Sequence, residues 1–509
     1  MLIKKIIFLE PKTENLHIYS KFELPRLGSV LLATIMKQEG YLVEAYFLKT
    51  NEIIERNLDA DLIAISSITP TITYAFRLAD YFREKGIPVV IGGPHVTALP
   101  NEALDHCDFV IRGEGEIPLP KLVSELNNNM HLEEVPSLSW INKGEITHND
   151  LCRPIENLDS LPFPDFSLLD NGGKAYNGIT RKMTIPIQAS RGCPFNCKFC
   201  SVTSMFGKKF RFRSVESIIS EMKRYNPKKD ILFFYDDNFS ANKTRTKQLL
   251  RAMISHQKEF GGLFQWVTQV RIDIAKDSEL MDLLKESGCM VLFIGIESVN
   301  PEALKEMKKA QSIQDIQFGI KEIRKRGIHI HGMFVFGFDS DNIATTQSTV
   351  DFAIKSKIGS AQFLILTPLP GTEFFKQMIE ENRLLEQNWE KYDTHHVNFI
   401  PKQFSLWDLQ QTQIMAHDQF YKFGNVFRRF IRGNLISLFI GLYAHKLNKK
   451  WVKGQQKYLD RIKKLLIRKK KHFAIPPIND ELNEEIIILQ SPKQTNSDEK
   501  ESNIDELYH

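Results

Sequence analysis

From Met1 to about residue 140, short apolar runs alternate with amphipathic stretches. Ile3–Leu9, Val43–Phe47, Leu62–Ser66, Val89–Ile91 and Phe109–Arg112 read as strands, while Leu27–Glu39, closed by Gly40, and Tyr74–Lys85, closed by Gly86, read as helices. Repeated β-α-β with short loops predicts an open, doubly wound parallel sheet. In such sheets ligands bind beyond the carboxyl ends of the strands. Those ends carry Ser66-Ser67-Ile68-Thr69, Gly92-Gly93-Pro94-His95 and Gly113-Glu114-Gly115. Glycines there let a large flat or phosphate-bearing ligand approach the backbone, although the same residues also make plain tight turns.

Residues 141–180 read as a connector, with two prolines in Leu158–Phe166 and then Asn171-Gly172-Gly173. A second α/β run follows over 181–400. Its strands are Ile185–Gln188, Ile231–Tyr235, Trp266–Val270, Val291–Ile296, His329–Phe336 and Ala361–Leu366, with helices between them. About six consecutive β-α units suggest a partial or full (β/α) barrel, whose chemistry would lie at the carboxyl ends of its strands. Residues 401–475 read as helical, and 476–509 as an acidic, disordered tail.

Composition changes this picture only locally. The 509 residues are 42% hydrophobic and 25% charged, as in ordinary soluble proteins, which excludes a mostly disordered chain and a multi-span membrane protein. The net charge of +5 describes no real surface. Arg428–Lys471 carries 15 Lys/Arg against the single acid Asp460, and Asp480–His509 carries nine acids against two lysines, leaving the first 427 residues nearly neutral. No nucleic-acid partner is therefore expected. Neither a signal peptide nor an apolar run of about 18 residues is visible, so a cytoplasmic protein is expected.

The six cysteines are Cys107, Cys152, Cys193, Cys197, Cys200 and Cys289; three fall within eight residues, in Arg191-Gly192-Cys193-Pro194-Phe195-Asn196-Cys197-Lys198-Phe199-Cys200. This points to a metal in a reducing compartment rather than to a disulfide framework. Three thiolates on a cubane cluster leave one iron open to a substrate or cofactor. A structural zinc site wants a fourth ligand nearby, and the next cysteine is Cys289; a ferredoxin wants Cys-x2-Cys-x2-Cys and a further Cys-Pro. His329 and His331 alternate on one strand and share a side, as a metal pair or, with no third ligand in view, as polar core groups.

Cys-x3-Cys-x2-Cys with an aromatic before the last cysteine resembles the signature of the radical S-adenosylmethionine superfamily. The resemblance implies that Cys193, Cys197 and Cys200 hold a [4Fe–4S] cluster, with Phe199 at the aromatic position. The cluster would reductively cleave S-adenosylmethionine to a 5′-deoxyadenosyl radical, with an external electron donor such as flavodoxin or ferredoxin. It also implies cofactor contacts from Asp236, in Phe234-Tyr235-Asp236-Asp237-Asn238, and from Glu297, in Gly295-Ile296-Glu297-Ser298. The family's frequent Gly-Gly-Glu is absent. Gly332–Gly337 and Thr367–Thr372 resemble later family segments near the adenine and after the last strand.

The first unit, 1–140, resembles the Rossmann-like cobalamin-binding domain that precedes the radical barrel in one large subfamily. The likeness lies in Leu24-Pro25-Arg26-Leu27-Gly28, Ser66–Thr69, Gly92–Thr97 and Arg112–Glu116. It implies cobalamin contacts from Ser66, Thr69, Gly92, Gly93, His95, Gly113 and Glu114. An Asp-x-His-x-x-Gly motif is absent: His17 lacks its Asp and Gly, and His95 follows the wrong strand. Any cobalamin would then lack a histidine on its lower face.

Together these imply a cobalamin-dependent radical enzyme methylating an unactivated carbon of a small or lipid-like substrate. The alternative is a cyclase or carbon–carbon coupling enzyme of the same build, and a non-catalytic cobalamin or cluster sensor is a weaker one. A methylthiotransferase of transfer RNA would need three cysteines in the first unit, where only Cys107 stands. Residues 428–471, with the apolar run Leu435–Tyr443 too short to span, read either as a peripheral contact with the inner membrane face or as docking helices with a solvated basic side.

Overall fold

The computed structural model describes residues 2–13, 24, 26–128, 130–170, 182–309, 311–385, 387–431 and 435–471. His17, the Asn171-Gly172-Gly173 turn and the acidic tail lie outside the described residues.

Two sheets organise the chain. The first contains β1 (Lys5–Pro11), β2 (Leu42–Leu48), β3 (Leu62–Ser66), β4 (Val89–Gly92), β5 (Phe109–Ile111), β6 (Leu138–Asn142) and β7 (Glu145–His148), in the order β2-β1-β3-β4-β5-β6-β7. The first five are parallel, and their order reverses between β1 and β3. That switch point is where doubly wound sheets open a crevice. β6 and β7 add an antiparallel hairpin, so the sheet continues past residue 140 to His148. Lys143 (φ 50°) and Gly144 (φ 89°) form its turn, both left-handed as a tight hairpin demands.

The second sheet is wholly parallel. Its strands are β8 (Met183–Ile187), then, after the two-residue antiparallel ladder of β9 (Ser190–Arg191) with β10 (Arg211–Phe212), β11 (Asp230–Phe234), β12 (Gln265–Val270), β13 (Cys289–Glu297), β14 (His329–Phe336) and β15 (Ser360–Ile365). Spatial order follows chain order from β8 to β15, with β9 and β10 outside, giving a six-stranded partial barrel rather than a closed one. The intervening helices start at side-chain caps supplied by Ser214, Asn242, Asp277, Asn300, Ser312 and Asn342. One continuous cluster of buried apolar side chains runs through both sheets.

An open barrel leaves a strand edge, and an unpaired edge is a liability. Here the helix Leu406–Phe420 closes it with a stripe at i, i+4, i+8. Gln413 donates to the Phe363 carbonyl (3.1 Å), His417 Nε2 accepts from the Phe363 N–H (3.3 Å), and Tyr421 both accepts from the Ala361 N–H (2.9 Å) and donates to its carbonyl (2.7 Å). The Thr394 carbonyl takes the Ile365 N–H at 2.7 Å. His417 must be neutral to accept, and burial pushes its pKa down to about 4. Because the folded value lies below the unfolded one, its contribution is complete above pH 6.5 and is lost as pH falls from 6.5 toward 4, by up to about 3 kcal/mol. Urea unfolding at a series of pH values should therefore be steeper in pH for the wild type than for His417→Gln, which keeps an acceptor. Equal slopes would contradict this assignment.

The C-terminal helices Leu435–Gly454 and Gln456–Lys471 dock on the barrel. Trp451, Tyr458, Leu459 and Ile462 are buried with Ile414, and the Tyr458 hydroxyl accepts from the Val397 N–H at 2.9 Å. For this half of the basic segment, docking with a solvated basic side describes the arrangement.

Candidate active site between the two sheets

The cysteine loop leaves the sheet at β9 and returns at β10. Gly192 (φ 87°) lets it pass the 207–209 backbone; a Cβ there would come within 2.6 Å of the Lys209 carbonyl. The loop is anchored again where the Phe374 N–H donates to the Lys198 carbonyl at 2.9 Å. Cys193, Cys197 and Cys200 are free thiols of intermediate exposure, whereas Cys107 and Cys289 are buried. Burial pushes the Cys200 thiol up to about 12 and raises Cys193 and Cys197, with charge on neighbouring thiols of the loop adding to the rise at Cys193 and Cys200. A donor set of this kind is relieved by cationic iron. Among the described residues, no three Cys, His, Asp or Glu side chains converge as a single ion requires. A cubane makes a different demand, because each thiolate takes its own iron.

Around the loop stand the carboxyl ends of the barrel strands. Phe199 packs edge-on to Phe338 (6.1 Å), and Arg271, following β12, lies over the Phe195 ring (4.0 Å). Glu297 ends β13 at a register shift in the β13–β14 ladder and adopts φ 63°, a left-handed conformation costing a non-glycine residue about 1 kcal/mol or more. It is held there by Lys309, whose buried ammonium donates to Glu297 Oε1 and to the Gly295 carbonyl, each at 2.6 Å. A Cβ on Gly295 would approach Glu297 Oε1 to 2.4 Å and Lys309 Nζ to 2.9 Å, so any side chain there would push this ion pair aside. Lys309, Glu297 and Arg271 all act electrostatically on Cys197, so this cluster borders the loop.

Asp236 is not open to a ligand. It is 2% exposed and accepts from the Ala189 N–H (3.1 Å) and the Ser190 hydroxyl, bracing the turn between β8 and β9; burial pushes its pKa up to about 6. Its neighbour Asp237 is the outward-turned residue of the pair; desolvation and the Asp236 charge push its carboxyl up to about 7, and it acts on Cys193 and Cys200. Sequence alone cannot say which of two adjacent acids turns outward.

A cleft, open in part to solvent, joins the two sheets. On one side lie Ser66, Gly92, Gly93, Gly113 and Glu114, and on the other Gln188, Arg191, Met205, Phe206 and Tyr235. Gly93 (φ 115°) has no room for a side chain, since a Cβ would sit 2.2 Å from the Ser67 carbonyl. An apolar floor with a glycine rim fits a flat macrocycle with polar edges. Thr69 and His95 are not on this wall. His95 is fully buried, with Nδ1 3.3 Å from Thr69 Oγ1, Nε2 3.4 Å from Glu102, and Trp389 edge-on at 4.9 Å. Both its nitrogens are engaged within the first unit, and Glu102 in turn accepts from the Trp389 indole of the segment after the barrel at 2.7 Å.

Glu114 lines the cavity, but its carboxylate is spent on the barrel. Arg211 contacts both of its oxygens, and Arg191 stands 3.2 Å from Oε2 and 2.8 Å from Glu116. Burial alone would raise the Glu114 pKa; the two guanidinium groups outweigh it and hold it low. This buried clamp fixes the β5 loop against the root of the cysteine loop, and no local signal in the sequence announces it. His329 and His331 are core polar groups: Ser360 Oγ lies 2.9 Å from each, and burial pushes His331 down to about 3.

Comparison with known proteins matches this architecture. The radical SAM superfamily model matches residues 187–353, and the B12 binding domain model matches 16–123. An uncharacterized methyltransferase of Pyrococcus horikoshii is 31% identical over 83% of this chain and 93% of its own length. Bacteriochlorophyllide d C-12(1)-methyltransferase of Chlorobaculum tepidum is 30% identical over 84% of this chain and 89% of its own. The radical S-adenosylmethionine methyltransferase TsrM of Kitasatospora setae, solved with cobalamin and a [4Fe–4S] cluster, shares the fold at a TM-score of 0.62 and 16% identity, over 75% of each chain. The chain belongs to the radical SAM superfamily, in the branch whose barrel follows a B12-binding domain.

Proposed function

We propose that this protein is a cobalamin-dependent radical S-adenosylmethionine methyltransferase acting on an unactivated carbon of a small, hydrophobic or lipid-like substrate. The observation that carries this reading is the single cavity lined both by the glycine-rimmed ends of the first sheet and by the barrel residues flanking the cysteine loop. The relatedness to methyltransferases, one of them named for a bacteriochlorophyllide, supports the methyl-transfer chemistry and a hydrophobic substrate.

Cys193, Cys197 and Cys200 would hold the cluster, Glu297 and Asp237 the polar ends of S-adenosylmethionine, and Ser66, Gly92, Gly93 and Gly113 the rim of cobalamin. Bound there, cluster and S-adenosylmethionine supply a primary carbon radical, and cobalamin supplies the methyl group. The protein's part is placement. Lys309 fixes one Glu297 oxygen and leaves the other to accept hydroxyl protons. Asp236 braces the turn before the cysteine loop. Phe199 is held in place by Phe338. The apolar walls, including Phe8, Leu31, Met205 and Phe206, exclude water from reactive species. Asp236, Thr69 and His95 take bracing roles in this reading. An external donor such as flavodoxin or ferredoxin would supply the electron, and part of 428–471 would meet a membrane peripherally. No helix among the described residues is long and apolar enough to cross one.

Anaerobically reconstituted protein, given S-adenosylmethionine, cobalamin and a low-potential reductant, should form 5′-deoxyadenosine together with S-adenosylhomocysteine. No 5′-deoxyadenosine would refute the radical reading. Deoxyadenosine without S-adenosylhomocysteine would replace methyl transfer by cyclisation or coupling.

A further inference from the structure

The helices Phe423–Ile431 and Leu435–Gly454 pack on each other but leave a bare apolar surface. Phe423 is 68% exposed, Phe439 55%, and Phe427 and Leu442 46% each. Phe423 and Phe427, one turn apart, stack at 6.1 Å, and Phe439 and Leu442 are likewise one turn apart. Both pairs flank a tight crossing, where a Cβ on Gly441 would come within 2.7 Å of Val426 Cγ2. The crossing fixes the two helices together, so the exposed rings are presented by a rigid support.

Charge along the helix pair itself has one sign. Lys422, Arg428, Lys446, Lys449, Lys450 and Lys453 are exposed, and no Asp or Glu lies between Asp418 and Asp460. The carboxylate of Asp418 accepts from Asn448 at 2.8 Å. Beyond this surface the segment is committed to the barrel through Trp451, Tyr458, Leu459 and Ile462.

We propose that this helix pair docks on an anionic lipid surface, with Phe423, Phe427, Phe439 and Leu442 entering the interfacial layer and the surrounding lysines and arginines meeting lipid phosphates. The chemistry is that of interfacial helices: large apolar side chains beside a one-sign basic face, on helices that are not both long and apolar enough to span. The uniformly basic surround, with no acid between Asp418 and Asp460, favours an anionic lipid surface over a protein partner. The surface is narrower than 428–471 and begins earlier, at Lys422. The proposal stands on this surface alone and is independent of the methyl-transfer reading.

The test is co-sedimentation of the full-length protein with vesicles. Wild type should sediment with equimolar phosphatidylcholine–phosphatidylglycerol vesicles, stay in solution with phosphatidylcholine alone, and be released by high salt. Phe423→Ser/Phe439→Ser and Lys446→Gln/Lys449→Gln should each weaken binding by about tenfold or more, with melting temperatures unchanged. Wild type that ignores anionic vesicles, or variants that bind like wild type, would overturn the proposal. So would a wild-type dimer that the phenylalanine variant dissolves, since the surface would then be a self-association face. Deleting 428–471 is not equivalent, because it also strips Trp451 and Tyr458 from the barrel.

Discussion

Cys197→Ala is expected to abolish the brown chromophore of the reconstituted protein and its 5′-deoxyadenosine formation, by three orders of magnitude or more. The three cysteines share one loop, and nothing nearby can replace a lost thiolate: Cys107 and Cys289 are buried elsewhere and Cys152 lies in the segment leading to the barrel. Cys289→Ala, on a core strand, should leave the chromophore intact and cost only packing. Absorbance and iron content separate loss of the cluster from loss of activity. A variant at Cys197 that still cleaves S-adenosylmethionine would remove the basis of the proposed chemistry.

Arg211→Met should cost about 3–5 kcal/mol, the penalty for breaking a buried ion pair and leaving its partner charged. Arg211 is 3% exposed and lies on β10 at the root of the cysteine loop, whereas its partner Glu114 lies in the loop after β5 of the first sheet. Glu114→Gln alone should cost a similar amount, because Arg191 and Arg211 would then face each other with one carboxylate fewer. The double variant Glu114→Gln/Arg211→Met should recover much of the loss, and a double-mutant cycle in urea would measure the coupling. Purely additive losses would show that the two residues do not act as a pair.

Most of the strand framework was legible because parallel strands covered on both faces must be nearly continuous apolar runs. β3 and β14 match the sequence reading to the residue, and the other barrel strands differ by one or two positions at their ends. The hairpin of β6 and β7 goes unread although Lys143-Gly144 marks it, because the boundary between first unit and connector, placed at 140/141, cuts through Leu138–Asn142. The cysteine loop announced itself by spacing. The groups around it did not. Lys309 reaches Glu297 across a helix and a loop, and Arg211 reaches Glu114 across 97 residues. His95 sits in a glycine loop of ligand-binding type, yet the fold turns it inward toward Thr69 and Glu102. The stripe Gln413, His417, Tyr421 has helical spacing, but its purpose depends on strand residues 50 to 60 positions earlier.

That stripe also sets an order of events during synthesis. β15 is complete at Ile365, while the side chains that cover its edge arrive only when Tyr421 has emerged. At ~5–20 residues per second the half-made barrel waits several seconds with bare peptide groups at its rim. In that interval neighbouring nascent chains on one messenger can pair edge to edge. A ribosome stalled between these two points would therefore release an aggregation-prone fragment rather than a smaller enzyme.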